Sequence, residues 1–153
     1  MILNPFKKFL MLSVLVLGGG GVVANAQMYA DSRIQANVPF DFTVSDTRLP
    51  AGKYEIRKLD DEVSNIFELR SANGRTTVAF SAEDAQRRDN QIASKTEFVF
   101  DKVGDQYFLS QVWVAGSASG SELPKSRKQK RLDADGSQAE KHSVVGFMKR
   151  LKS

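Results

Sequence analysis

Few residues in this chain are equipped for covalent or metal chemistry. Cysteine is absent and histidine occurs once, which removes disulfides, thiolate nucleophiles and multi-histidine metal sites. The single histidine, His142, stands beside Ser143 near the C-terminus. A nucleophile–base pair needs a base held in place by a third group, and no second histidine competes for the role; the pair reads as incidental. Asp60-Asp61-Glu62 clusters three carboxylates at a turn, enough for weak cation binding but equally expected of a solvated loop, which is the preferred reading. Asp133-Ala134-Asp135-Gly136 shares the opening of a calcium loop. Its glycine comes two positions early, however, and the twelfth position is Val144, where such a loop needs a carboxylate. Distant carboxylates that meet on folding stay open as a hydrolytic pair, but no particular pair stands out. The expectation is a non-enzyme with no cofactor and no metal.

The concentrated chemistry is charge. Residues 125–131 hold five cations in seven positions. Lys125, Arg127, Lys128, Lys130 and Arg131 are candidate contacts for a polyanion, either anionic envelope polymer or lipid head groups; a solvated helix or linker is the plainer alternative. Residues 27–121 carry 11 Lys/Arg against 14 Asp/Glu, whereas residues 122–153 carry 9 against 4. The basic balance therefore belongs to the tail, and such asymmetry points to a partner.

The elements that must position these groups begin after residue 26. Lys7 and Lys8, the apolar run Phe9–Leu17, four glycines at 18–21 and the small residues of Ala24-Asn25-Ala26 have the order of a cleaved secretory signal. The apolar run falls short of the ~20 residues that span a bilayer. A chain exported from Gln27 onward, periplasmic or extracellular, is expected, and nucleic acid is not an expected partner.

Residues 33–44 alternate without a fault, with Ile34, Ala36, Val38, Phe40, Phe42 and Val44 on one side. This is a half-buried strand, at a sheet edge or bulged at Pro39. Leu49-Pro50-Ala51-Gly52 reads as a turn, with Gly52 free to take positive φ, into a strand bearing Tyr54 and Ile56. Asn73-Gly74 sets a hairpin with a type I′ loop, pairing Leu69 with Val78 and Phe67 with Phe80. Gly104-Asp105 sets another with a type II′ loop, pairing Phe100 with Leu109, Lys102 with Tyr107 and Phe98 with Gln111. Trp113 continues that face. The opposite face carries Phe108, Val112 and Val114, which are too apolar for solvent. They form a candidate interaction face unless the same chain covers them.

Residues 81–94 read as a loop or short helix and 115–121 as a flexible connection. Val144, Phe147, Met148 and Leu151 have helical spacing, but a final strand through Val145 and Phe147 fits as well. The fold expected is all-β: a small antiparallel sandwich or barrel of six to seven strands over 27–121, followed by a basic tail, 122–153, flexible or partly helical.

Val38–Val44, Leu49–Tyr54, Gly104–Trp113 and Leu123–Arg127 together resemble a group of short secreted bacterial proteins with no established activity. The resemblance implies export and a β fold rather than a reaction. The Leu-Pro-Ala-Gly-x-Tyr turn is also similar to one in transthyretin-like and immunoglobulin-like surface modules. The leading functional expectation is a binding or structural role in the cell envelope, with a protein partner or homodimer left open. The alternative is a carrier that encloses a small apolar ligand in a barrel or sandwich pocket.

Overall fold

The alternating residues do lie on strands, and the strands join into one nearly closed, barrel-like sheet. The computed structural model describes residues 32–59, 65–87 and 91–150. In chain order these form β1 (Ser32–Val38), β2 (Phe42–Val44), β3 (Thr47–Leu49), β4 (Gly52–Lys58), β5 (Ile66–Ser71), β6 (Thr77–Ser81), β7 (Glu83–Gln86), β8 (Glu97–Val103), β9 (Gln106–Trp113), β10 (Ser119–Glu122), α1 (Arg127–Ala134) and β11 (Ala139–Arg150). The fold is mostly β, as expected, but the described residues form eleven strands rather than six to seven. Pro39 divides a run that read as continuous, because there the chain changes its partner strand; Ala82 likewise separates β6 from β7. The stretches read as a loop over 81–94, a flexible connection over 115–121 and a tail contribute β7, β10 and β11. The signal assigned to 1–26 and the carboxylates at 60–62 lie outside the described residues.

Antiparallel neighbours run β9–β8–β11–β1–β4–β5–β6. β7 continues β6 beyond Ala82 and pairs with β10, which pairs back onto the end of β9. This brings the circuit nearly round. β2 runs parallel to the start of β9, with β3 outside it. The C-terminal segment, where helix and strand were both open, is a strand. Its residues 139–145 pair with β8 and its residues 146–150 with β1, so the region expected to trail from the domain is part of its wall.

The β5–β6 hairpin has the predicted register, Leu69 opposite Val78 and Phe67 opposite Phe80. Its loop differs from type I′. Gly74 takes φ 69°, but Asn73 does not take positive φ; its Oδ1 accepts from Arg75 N–H and Ser71 Oγ instead. Gly104, at φ 58°, fits the type II′ loop. Gly52 has no positive φ and opens β4 opposite Val38. The Leu49–Gly52 turn is held from outside: Asp41 Oδ1 accepts the Ala51 N–H at 3.0 Å, and Tyr54 donates its hydroxyl to Pro50 O at 2.7 Å.

Inside, Ala36, Val38, Phe42, Val44, Tyr54, Ile56, Leu69, Phe98, Phe100 and Leu109 form the core. One end is filled with rings. Phe42 meets Phe100 and Tyr54 edge-on, and Phe40 stacks on Tyr107 at 3.8 Å with His142 against its edge. His142 is exposed and lies edge-on against this aromatic end. Outside, Trp113 packs with Ala85, Ala93 and Val99, and the Arg87 guanidinium lies 4.8 Å over its ring while bonding Glu97 at 2.7 Å.

Gly120 of β10 lets this layer close. A Cβ there would stand 2.5 Å from Trp113 Cε3 and 2.8 Å from Val112 O, so Gly120→Ala forces the ring or strand aside. The expected loss is about 1–3 kcal/mol, the usual cost of overpacking, read as a lower urea midpoint at unchanged slope.

Candidate functional site

Ser110 decides where the residues expected to bind are placed. The β8–β9 register holds at Phe100–Leu109 and Lys102–Tyr107, then shifts at Val99/Phe100, so that Phe98 faces Val112 rather than Gln111. The extra residue reverses the alternation beyond it. Phe108 lies on the outer face, in register with Asp101, and is 1% exposed. Val112 belongs to the interior core, and half-buried Val114 lines the cavity described below. Trp113 turns outward. A single exposed face of Phe108, Val112 and Val114 is therefore absent; α1 lies over the outer part.

The cations of 125–131 are fixed on that cover. Ser126 caps α1, accepting the Gln129 N–H at 3.1 Å, an N-cap bond that satisfies an otherwise orphan donor. Asp46, from the β2–β3 turn, accepts both the Arg127 N–H at 3.1 Å and its Nε at 3.0 Å. The Arg127 backbone N–H above all holds the Asp46 carboxyl below the usual range. Buried Gln129 donates to Asp101 at 2.7 Å. At the other end, Gly136 (φ 85°) donates to Asp133 O and Ser137 to Leu132 O, the bonds of a Schellman cap. Asp133-Ala134-Asp135-Gly136 is thus a helix terminus. Lys125 pairs with Asp133 at 2.6 Å and Arg127 with Asp46. Lys128, Lys130 and Arg131 are exposed, with no ion-pair partner among the described residues.

Under α1, Asp101 is buried. Its Oδ1 lies 2.6 Å from Lys141 Nζ in an ion contact that lacks hydrogen-bond geometry. Lys141 also donates to Ser110 Oγ at 3.3 Å, and that hydroxyl donates to Val99 O. Serine and lysine within reach suggest a nucleophile and base, but this lysine is engaged by a carboxylate and the hydroxyl by a carbonyl. The cluster ties α1, β8, β9 and β11 together. Among the described residues no group of three or more His, Asp or Glu is placed to hold a metal, and no helix is long and apolar enough to cross a membrane.

The end of the barrel opposite the aromatic packing is not filled. A cavity of about 210 Å³ lies there, with Ile34, Ile56, Phe67, Phe80, Val112 and Met148 on its wall and Arg57, Lys58 and Asp84 at its rim. Six strands supply large apolar residues, while β10 supplies only Ser119, Gly120 and Ser121 on this side. The small side chains of β10 leave the volume open. Sequence periodicity put Ile34 and Ile56 on strand faces and paired Phe67 with Phe80, but it set Val112 on the opposite face and Met148 at helical spacing, and it could not show that these residues fail to meet. The run Ser119-Gly120-Ser121, once read as a strand, was the available signal.

The outer face of β1 and β4 carries a half-buried acid. Glu55 accepts from Arg33 Nη1 and Gln35 Nε2, each at 2.6 Å. Burial pushes its carboxyl upward, but these two bonds and the charges of Arg33 and Lys149 outweigh it and hold the group below its ordinary value of 4.5.

No protein-family model, curated protein or solved structure matches this chain.

A carboxyl lowered in the folded state contributes stability that is present above the unfolded value and lost as pH falls through the folded one. Stability should therefore fall as pH drops below about 4.5. Glu55→Gln should flatten that part of a urea-midpoint profile taken from pH 6 to pH 3. An unchanged profile would place the acid sensitivity elsewhere.

Proposed function

We propose that this protein is a carrier for a small apolar molecule, or for the apolar end of an amphiphile, held in the unfilled end of the barrel. The supporting observation is the cavity itself: about 210 Å³, walled by aliphatic and aromatic side chains in an otherwise packed interior. An apolar cavity of ~150 Å³ takes benzene, while sites for drug-sized ligands begin near ~300 Å³. The occupant is thus roughly the size of one substituted ring or a short acyl segment. Charged residues at the rim leave its polar end in water, with Lys58 favouring an anionic one; Arg57 is already paired with Glu68 at 2.9 Å. Export by the expected signal at 1–26 places the carrier outside the cytoplasm.

A second reading rests on a separate feature, the solvent side of α1. Lys128, Lys130 and Arg131 support attachment to anionic envelope polymer or head groups, with the helix acting as a rigid contact.

Both readings are testable. Apolar dyes such as N-phenyl-1-naphthylamine should gain fluorescence on binding, and medium-chain fatty acids should displace them. Val114→Trp should reduce uptake at least about tenfold, as expected when a ligand of this size loses its volume, with the thermal midpoint unchanged; Met148→Trp provides a second block. No uptake by the wild type, or full uptake by both variants, would reject the carrier. For α1, co-sedimentation with envelope material should decline as NaCl rises towards 1 M, where the Debye length is ~3 Å, and Lys128→Glu/Lys130→Glu/Arg131→Glu should abolish it. Salt-insensitive sedimentation would reject the electrostatic attachment.

A further inference from the structure

A second concavity, of about 290 Å³, lies on the outer face of β11, β1, β4 and β5, with lining residues that include Phe147, Arg33, Lys53, Glu55, Arg70 and Lys149. Its layout follows from strand register. Phe147 is opposite Gln35, Gln35 opposite Glu55, and Glu55 opposite Arg70. Lys149 is opposite Arg33 in the next row. Arg33 is engaged by Glu55, whereas Lys53, Arg70 and Lys149 have no ion-pair partner among the described residues. Four cations around one carboxylate attract an anion. Phe147 is 55% exposed beside these charges, and neither core packing nor anion binding alone requires a ring there. An aromatic face next to an amide and a carboxylate offers a surface for the C–H face of a pyranose and acceptors for its hydroxyls. Gln35 donates one N–H to Glu55 and keeps its carbonyl for such a contact; Glu55, ionised, only accepts.

We propose that this groove binds an acidic saccharide, a uronate-type sugar whose ring packs on Phe147 and whose carboxylate meets Lys53, Arg70 or Lys149. The site is independent of the barrel cavity and of α1. It is tested by calorimetric titration of the purified protein with tetragalacturonate, maltotetraose and inorganic phosphate, at low and high NaCl. Tetragalacturonate should bind, maltotetraose should bind at least about tenfold more weakly for want of its charge-assisted bonds, and phosphate should not compete. Phe147→Ala should weaken binding by about fivefold or more, the scale of one aromatic contact, while keeping its salt dependence. Arg70→Gln/Lys149→Gln should weaken binding and flatten that dependence. The α1 triple variant should bind as the wild type does. Equal binding of maltotetraose, competition by phosphate, or a neutral Phe147→Ala with an unchanged thermal midpoint would overturn the proposal. So would phosphatidylglycerol vesicles that bind through Phe147 when tetragalacturonate does not. If Phe147→Ala does not fold, the salt dependence of the Arg70/Lys149 variant decides.

Discussion

The structure depends on one strand with two partners. β11 gives the hydrogen bonds of residues 139–145 to β8 and those of residues 146–150 to β1. Without it β1 and β8 would both be open edges, with unpaired backbone and apolar inner faces. Its transfer from one partner to the other is tight at Gly146, where a Cβ would stand 2.7 Å from Gln35 O. The same strand supplies Met148 to the cavity, Phe147 to the outer groove and Lys141 to the polar cluster beneath α1. Wall, interior and surface chemistry are therefore coupled through twelve residues.

The second determinant is the extra residue at Ser110. It sends Val112 inward and Trp113 outward, which puts an aliphatic side on the cavity and an aromatic one under Arg87 and beside Gly120. The two barrel ends then differ in kind. One is closed by Phe40, Phe42, Phe100 and Tyr107 in edge and stacked contacts. The other faces the small residues of β10 and stays open. The proposed carrier role draws on that asymmetry, since entry at the open end needs no repacking of the rings.

Sequence made the local structure legible where pattern and turn chemistry agree. The inward positions of β1 and β2, the β5–β6 register and the Gly104 loop follow from alternation and from glycine. Partner changes were not legible. Alternation through Pro39 is unbroken because β1 and β2 face the same interior, although they pair with different strands. One inserted residue at Ser110 leaves no mark in composition yet reverses every side chain after it. β10 is hidden because Ser119, Gly120 and Ser121 look like a linker when no partner is in view. The cations of 125–131 were visible as charge, but Asp46 and Asp133, which engage two of them, are distant in sequence or function as a cap. The outer groove was illegible for the same reason: Arg33, Glu55, Arg70 and Lys149 meet only through strand register.

The register of Ser32 with Arg150 joins the first described strand to the last. Loop closure of that span must precede its reward, so the fold ranks among slow, high contact-order topologies. A chain leaving the ribosome cannot complete the wall until β11 is delivered. Until then β1 and β8 each keep one open edge, exposed to edge-to-edge association. β11 is the latch, and completion of the wall waits for its arrival.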